Sequence, residues 1–260
     1  MRTMILCCLL VTGSLVPVQA AVIAVFDNSA YVDTSGGPPA PGSDAVQALL
    51  DSLGHTVQPF TGITAADFTA ATGAADLILF PHLLSFGALL TDDLTSSAKT
   101  ALADYVEAGG GLITIGDGAS RLLNVVFYPP GCCFASTGGA GPSFLDSAVA
   151  AGTPFATAPG ELTSPPEAGN GFNPFAFTPP GGANLYEDQF GGITVLTAPF
   201  VTGHFGYLAW NYVGAVPGTS NGGWSEVLDI MVDAVRPPSR CLNRAPCPCG
   251  VFGSSHWGAP

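Results

Sequence analysis

GGGLITIGDGAS, Gly109 to Ser120, sets a short apolar run between two glycine-rich stops. LITIG has no polar alternation, which predicts a strand covered on both faces. It runs into the turn Gly116-Asp117-Gly118 and then into ASRLLNVVF, whose apolar residues recur at helical spacing. Gly109 to Gly111 precede a strand instead of opening a helix, so they stop a helix and do not cradle phosphate. A strand feeding a helix through a tight turn is one β-α unit. In open parallel sheets such turns lie on the edge where ligands are met.

The same alternation continues on both sides. Upstream, TDDLTSSAKTALADYVEAGGG predicts one helix with acids in its first turn and Leu94, Ala98, Leu102 and Tyr105 along one stripe. ADLILFP (Ala75 to Pro81) predicts a buried strand, and Thr64-Ala65-Ala66-Asp67 opens a short Ala-rich helix. TVQPF reads as a further strand. SDAVQALLDSLGH reads as a helix capped by Ser43 or Asp44, with Val46, Leu49, Leu50 and Leu53 inward and Gly54 closing it. AVIAVFD (Ala21 to Asp27) is the first strand. Downstream, GITVLTAPF and HFGYLAWNY flank Val201-Thr202-Gly203 as a β-hairpin, and GGWSEVLDIMVDAV is an amphipathic closing helix. The fold class is therefore α/β: a doubly wound, mostly parallel sheet with helices on both faces and a C-terminal hairpin and helix. Between Tyr128 and about residue 190 the pattern gives way to Gly, Pro and Phe, which predicts an insertion carrying short strands.

The ends of the chain differ in kind from its middle. MRTMILCCLLVTGSLVPVQA has a basic start at Arg2, an apolar centre and a small-residue end at Val18-Gln19-Ala20. This is the pattern of a secretion signal, too short in its apolar part to span a bilayer. Residues 1–20 are thus expected to leave, 21–235 to form one α/β domain, and 236–260 to be a Cys/Pro-rich tail without fixed structure. The expected location is periplasmic, cell-surface or extracellular.

With Arg2 set aside, five basic residues face nineteen acidic ones. Such a surface repels phosphate backbones and anionic lipid, so neither nucleic acid nor membrane insertion is expected. Lys99 as the sole lysine argues against Schiff-base chemistry. Neither cofactor nor metal is expected. Cys241, Cys247 and Cys249 do not have zinc-knuckle spacing, and Asp27 with Asp33 lacks the regularity of a calcium loop. Export makes disulfides the simpler use of the cysteines.

VIAVFDNSAYVDT, DAVQALLDSLGHTVQPF, ADLILFP, LADYVEAGGGLITIGDGASRLLNVVF and GHFGYLAWNY together resemble the class I glutamine amidotransferase-like superfamily. Its exported branch is the nearer likeness and the trehalose-utilisation (ThuA-like) proteins the more distant one. The resemblance covers roughly residues 21–127 and 194–235, and implies a flavodoxin-like sheet. In catalytic members a Cys stands on the turn after the strand corresponding to LITIG, with His and Glu from later in the chain. Here that turn is Gly116-Asp117-Gly118, so the resemblance implies a fold without its nucleophile.

The site expectation is the carboxyl edge of the sheet, where Asp27, Asn28, His82, Asp117 and Asn211 should converge to bind a small polar ligand or a protein partner. Each also has a plain structural use as a turn or cap residue. Two rival readings stand beside this one. The first is a hydrolase or amidase with a displaced nucleophile, Cys132 or Cys133 with His82, or a water held by Asp27 and Asp117. The second is a structural envelope protein. A Ser120–His82–Asp117 triad is set aside because G-x-S-x-G is absent and Ser120 falls inside the predicted helix.

Overall fold

The computed structural model describes residues 20–34, 42–116, 118–128, 136–137, 141–163, 171–172 and 181–237. Asp117, Cys132 and Cys133, the three tail cysteines and residues 1–19 lie outside them. In chain order the elements are β1 (Val22–Phe26), α1 (Gly42–Ser52), β2 (Thr56–Phe60), α2 (Ala65–Ala74), β3 (Leu77–Phe80), α3 (Ala88–Asp93), α4 (Ser96–Glu107), β4 (Gly111–Ile115) and α5 (Gly118–Val126). There follow β5 (Ser136–Thr137), β6 (Ser143–Leu145), α6 (Ser147–Ala150), β7 (Glu161–Leu162), β8 (Gly171–Phe172), β9 (Ala183–Asp188), β10 (Ile193–Phe200), β11 (Gly203–Leu208) and α7 (Trp224–Val235).

The strand order β2-β1-β3-β4-β11-β10-β9-β6-β7 makes one mixed sheet. β2, β1, β3, β4 and β11 run parallel. The β10–β11 hairpin then reverses direction, and β9, β8, β7, β6 and β5 continue antiparallel. The described strands of the Gly/Pro-rich stretch thus lengthen the sheet at its antiparallel edge. β1, β3 and β4 are buried from Ile23, Leu77 and Gly111 to their ends because both faces are covered, and the one hydroxyl among them, Thr114, donates to the Gly206 carbonyl. On one side α2, α4 and α5 pack in series. α7 lies against β4, β10 and β11 through Trp224, Val227, Leu228, Met231, Val232 and Val235. Full burial of each such side chain contributes about 1.5–3 kcal/mol.

Two local expectations need correction. TDDLTSSAKTALADYVE is two helices, because Leu94 takes an extended conformation (ψ 119°) and the Thr95 hydroxyl accepts from Ala98 N at 3.2 Å, starting α4 afresh. The acids therefore lie near the end of α3 and not in the first turn of α4. At the other site, α1 already begins at Gly42, so Ser43 stands in its first turn and its hydroxyl is used elsewhere.

Close backbone approach fixes how β11 enters the sheet. A Cβ on Gly203 would lie 2.1 Å from the Val106 carbonyl oxygen, so only glycine lets the strand start beneath the end of α4. No helix among the described residues is long and apolar enough to cross a membrane.

Candidate functional site

Phe26, Phe60 and Phe80 end β1, β2 and β3, and their rings form a rigid floor, with centroids 5.3 Å apart for Phe26–Phe80 and 5.4 Å for Phe26–Phe60. Beyond the strand ends lie the segments that follow the parallel strands: 27–34 after β1, 81–87 after β3, Gly116 after β4, and 209–213 after β11. Leu83 bridges Val32, and Leu84 N donates to the Tyr31 carbonyl at 2.8 Å, which ties the first two segments together.

Asp27 prolongs the β1–β2 ladder by donating its N–H to the Phe60 carbonyl at 2.8 Å. Its half-buried carboxylate accepts from the Ser43 hydroxyl at 2.7 Å, and Gln47 Nε2 donates to that same hydroxyl at 3.2 Å. Ser43 is buried, so Asp27 is held from beneath by the first turns of α1. Gly42 closes the other side: a Cβ there would sit 2.7 Å from the Asn211 carbonyl oxygen. The start of α1 is thus wedged between two of the expected site segments.

Asn28 and Asn211 shape the edge. Asn28 Nδ2 donates to the Thr61 carbonyl at 2.7 Å, while its Oδ1 accepts from Ala30 N at 3.0 Å. Asn211 Oδ1 accepts from Val213 N at 3.1 Å. The Ala30 and Val213 contacts are local side-chain-to-backbone turns, the structural use that short amides favour, whereas the Thr61 contact ties the end of β1 to the end of β2.

His82 packs its half-buried ring onto Gly116, which has φ +71°. A Cβ at position 116 would meet His82 Nδ1 at 2.4 Å. Farther along, a Cβ on Gly118 would lie 2.4 Å from Leu83 Cβ, and one on Gly87 would lie 2.6 Å from the Gly118 carbonyl oxygen. The turn after β4 is therefore packed backbone to backbone against the loop after β3. It has the left-handed residue of a strand-to-helix presenting turn, and His82 fills the space that residue's side chain would take.

The edge is negative. Asp44, next to Ser43, has its carboxyl pushed above the usual carboxylate range, first by desolvation and then by the charges of Asp27 and Asp33. Tyr31 donates to Asp93 Oδ2 at 2.8 Å, and that hydrogen bond raises its phenol. Behind the edge, Trp210 is buried with its centroid 4.4 Å from that of Tyr212, and its Nε1 has no hydrogen-bond partner among the described residues. Among those residues no group of three or more His, Cys, Asp or Glu could hold a metal ion.

The structure thus brings Asp27, Asn28, His82 and Asn211 to one edge and sorts them. Asp27 presents a braced carboxylate, His82 covers a glycine, and the two asparagines hold their loops. Asp117, Cys132 and Cys133 lie outside the described residues. Sequence reasoning did not single out Ser43 as the support of Asp27. The available signal was the first-turn serine after a Gly/Pro loop, which could as well have been a cap.

No family model matches the chain, and no curated protein matches it. Solved structures do. A ThuA-like protein from Bacteroides uniformis superposes with a TM-score of 0.55 at 13% identity, covering 82% of this chain and 91% of that one. A cytoplasmic protein from Salmonella typhimurium gives 0.50 at 14% identity, over 83% and 99%. A β-galactosidase from Bacillus circulans gives 0.50 at 14% identity, where 84% of this chain corresponds to 32% of the enzyme. At these identities the likeness is one of fold: a distant structural resemblance to ThuA-like proteins.

Proposed function

We propose that the chain is an exported, non-catalytic module of the amidotransferase-like, flavodoxin-like kind that binds a small polar ligand at the carboxyl edge of its parallel strands. The observation that carries this reading is Gly116. The left-handed position after β4 has no side chain, and His82 occupies the volume one would need. A nucleophile there has neither an atom nor a place.

What the edge offers is acceptor chemistry. The Asp27 carboxylate is oriented by Ser43 through one of its oxygens, with Asp44 and Asp33 adding negative potential. A ligand rich in hydroxyl or ammonium donors fits such a surface, and an anion does not. A protein partner would have to present the same donors.

The test is a thermal-shift panel of sugars, amino acids, polyamines and inorganic phosphate on the purified protein, repeated on Asp27→Ala. Donor-rich compounds should raise the melting temperature of the wild type only, and phosphate should do nothing. Hydrolysis of ester or amide substrates that disappears in Cys132→Ser or Cys133→Ser would replace this reading with the displaced-nucleophile hydrolase. An edge that binds nothing, with assembly unaffected by Asp27→Ala, would favour a structural role.

A further inference from the structure

Ala21 has no exposed surface, and its backbone nitrogen donates to His55 Nδ1 at 3.2 Å. His55 follows α1, is 3% exposed, and places Nε2 3.0 Å from Asp229 Oδ1 on α7. Because Nδ1 accepts, Nε2 carries the proton and donates to the carboxylate, so the two contacts assign the neutral tautomer. Asp233, one turn farther along α7, lies near enough for its charge to couple to His55. This buried imidazole, backed by carboxylates, receives a single uncharged amide. That is little use of an acceptor built to hold a cation.

The preceding residue, Ala20, is exposed and ends the small-residue pattern Val18-Gln19-Ala20. We infer that hydrolysis of the Ala20–Ala21 bond is a maturation step, and that the new α-ammonium of Ala21 docks on His55 with Asp229 behind it as counter-charge. A signal peptidase supplies the catalysis and water the atoms. The water oxygen bonds to the Ala20 carbonyl carbon as the C–N bond breaks, the leader leaves as a carboxylate, and the Ala21 nitrogen takes up protons to become ammonium.

That ammonium keeps its contact to His55 Nδ1, and its other protons face the solvent side vacated by Ala20. A buried ammonium alone would be unfavourable, and the imidazole–carboxylate pair offsets this. The neighbouring backbone is already held: Thr56 N donates to the Ala21 carbonyl at 2.8 Å, and Val22 N to Asp76 Oδ2 at 2.8 Å. Docking therefore joins β1, the start of β2 and α7, three elements far apart in sequence. It makes the cut form more stable than a form whose first nitrogen is uncharged.

The inference rests on the export reading and not on ligand binding at the edge. Two measurements test it. The full precursor is expressed in a secreting bacterial host, and the exported protein is weighed by intact-mass spectrometry. Protein beginning at Ala21 is then melted with a free and with an acetylated amino terminus, as wild type and as His55→Phe, or as Asp229→Asn should His55→Phe not fold. The expected results are a mass beginning at Ala21 and a free form that melts higher by about 2–4 °C, a difference lost in the variant. A retained leader overturns the export reading and the docking with it, and a cut at any other bond overturns the docking alone. A cut at Ala21 with equal melting of the two forms overturns the docking alone.

Discussion

Gly116 and His82 form a pair whose energetics can be taken apart. Alanine at position 116 meets two penalties: a left-handed φ, about 1–2 kcal/mol, and overpacking against the His82 ring, about 1–3 kcal/mol. Gly116→Ala should therefore lower the unfolding free energy by about 2–5 kcal/mol in urea titration. In the double variant with His82→Ala the overpacking part should vanish, so the double variant should lose less stability than the two single variants summed. Strict additivity would mean that the ring does not fill that volume. A second residue-scale outcome concerns acid. Thr64 donates its hydroxyl and its backbone N–H to Asp67 Oδ2, at 2.6 and 2.9 Å, and holds that carboxyl below the usual range. A depressed folded value means stability present above the unfolded value of about 3.9. That stability is lost as pH falls through the lower folded value. Melting curves of wild type and Asp67→Asn should converge on acidification; a gap that is constant with pH would contradict this. At this scale the sequence was only partly legible. Asp27 and His82 could be picked as strand-end polar residues. That Asn28 and Asn211 would spend their amides on backbone, two residues on in both cases and also across to Thr61 for Asn28, could not be separated from ligand binding, because the same amide serves both. The Ser43 brace joins two segments across a loop, and nothing in local spacing reports it.

Among the elements, α4 and α7 bracket β11 through two glycines, and the two differ in what they touch. A Cβ on Gly203 runs into the Val106 carbonyl, which belongs to helix backbone, whereas one on Gly206 runs into Met231 Sδ at 2.2 Å, part of a flexible side chain. Gly203→Ala should thus cost more than Gly206→Ala, with the latter within about 1–3 kcal/mol, since methionine can repack. Equal losses in chemical denaturation would show that the strand start is free to shift. The βα repeat was readable because buried strands and amphipathic helices carry distinct periods over many residues. The break at Leu94 was not, since the apolar stripe continues across it and only the Thr95 cap interrupts the helix. Strands of two or three residues, such as β5 to β8, have too few positions to show any period. They were therefore expected as short strands of an insertion, without the antiparallel edge they build.

Over the whole molecule the dominant fact is charge. A formal net charge of −13 on 260 residues means that folding gathers like charges which the unfolded chain keeps apart. Raising salt from about 0.01 M to 0.15 M shortens the screening length from about 30 Å to about 8 Å. The melting temperature should rise accordingly, and a fall would point to net-attractive ion pairing instead. Among the described residues the exposed Arg121–Asp92 contact at 2.8 Å is one such pair, of the class that contributes little. The same acidity set the functional reading at the outset, by excluding anionic partners before any site was known.

The central claim is that the carboxyl edge binds donors through Asp27 and performs no chemistry. Its most direct test is isothermal titration of the best donor-rich compound from the thermal-shift panel into wild type and Asp27→Ala, with the mixture then analysed for turnover. The account predicts saturable binding that weakens at least about tenfold in the variant, equivalent to one lost charge-assisted hydrogen bond, with the compound recovered intact. Binding unchanged in Asp27→Ala, or a compound cleaved during the titration, would contradict it.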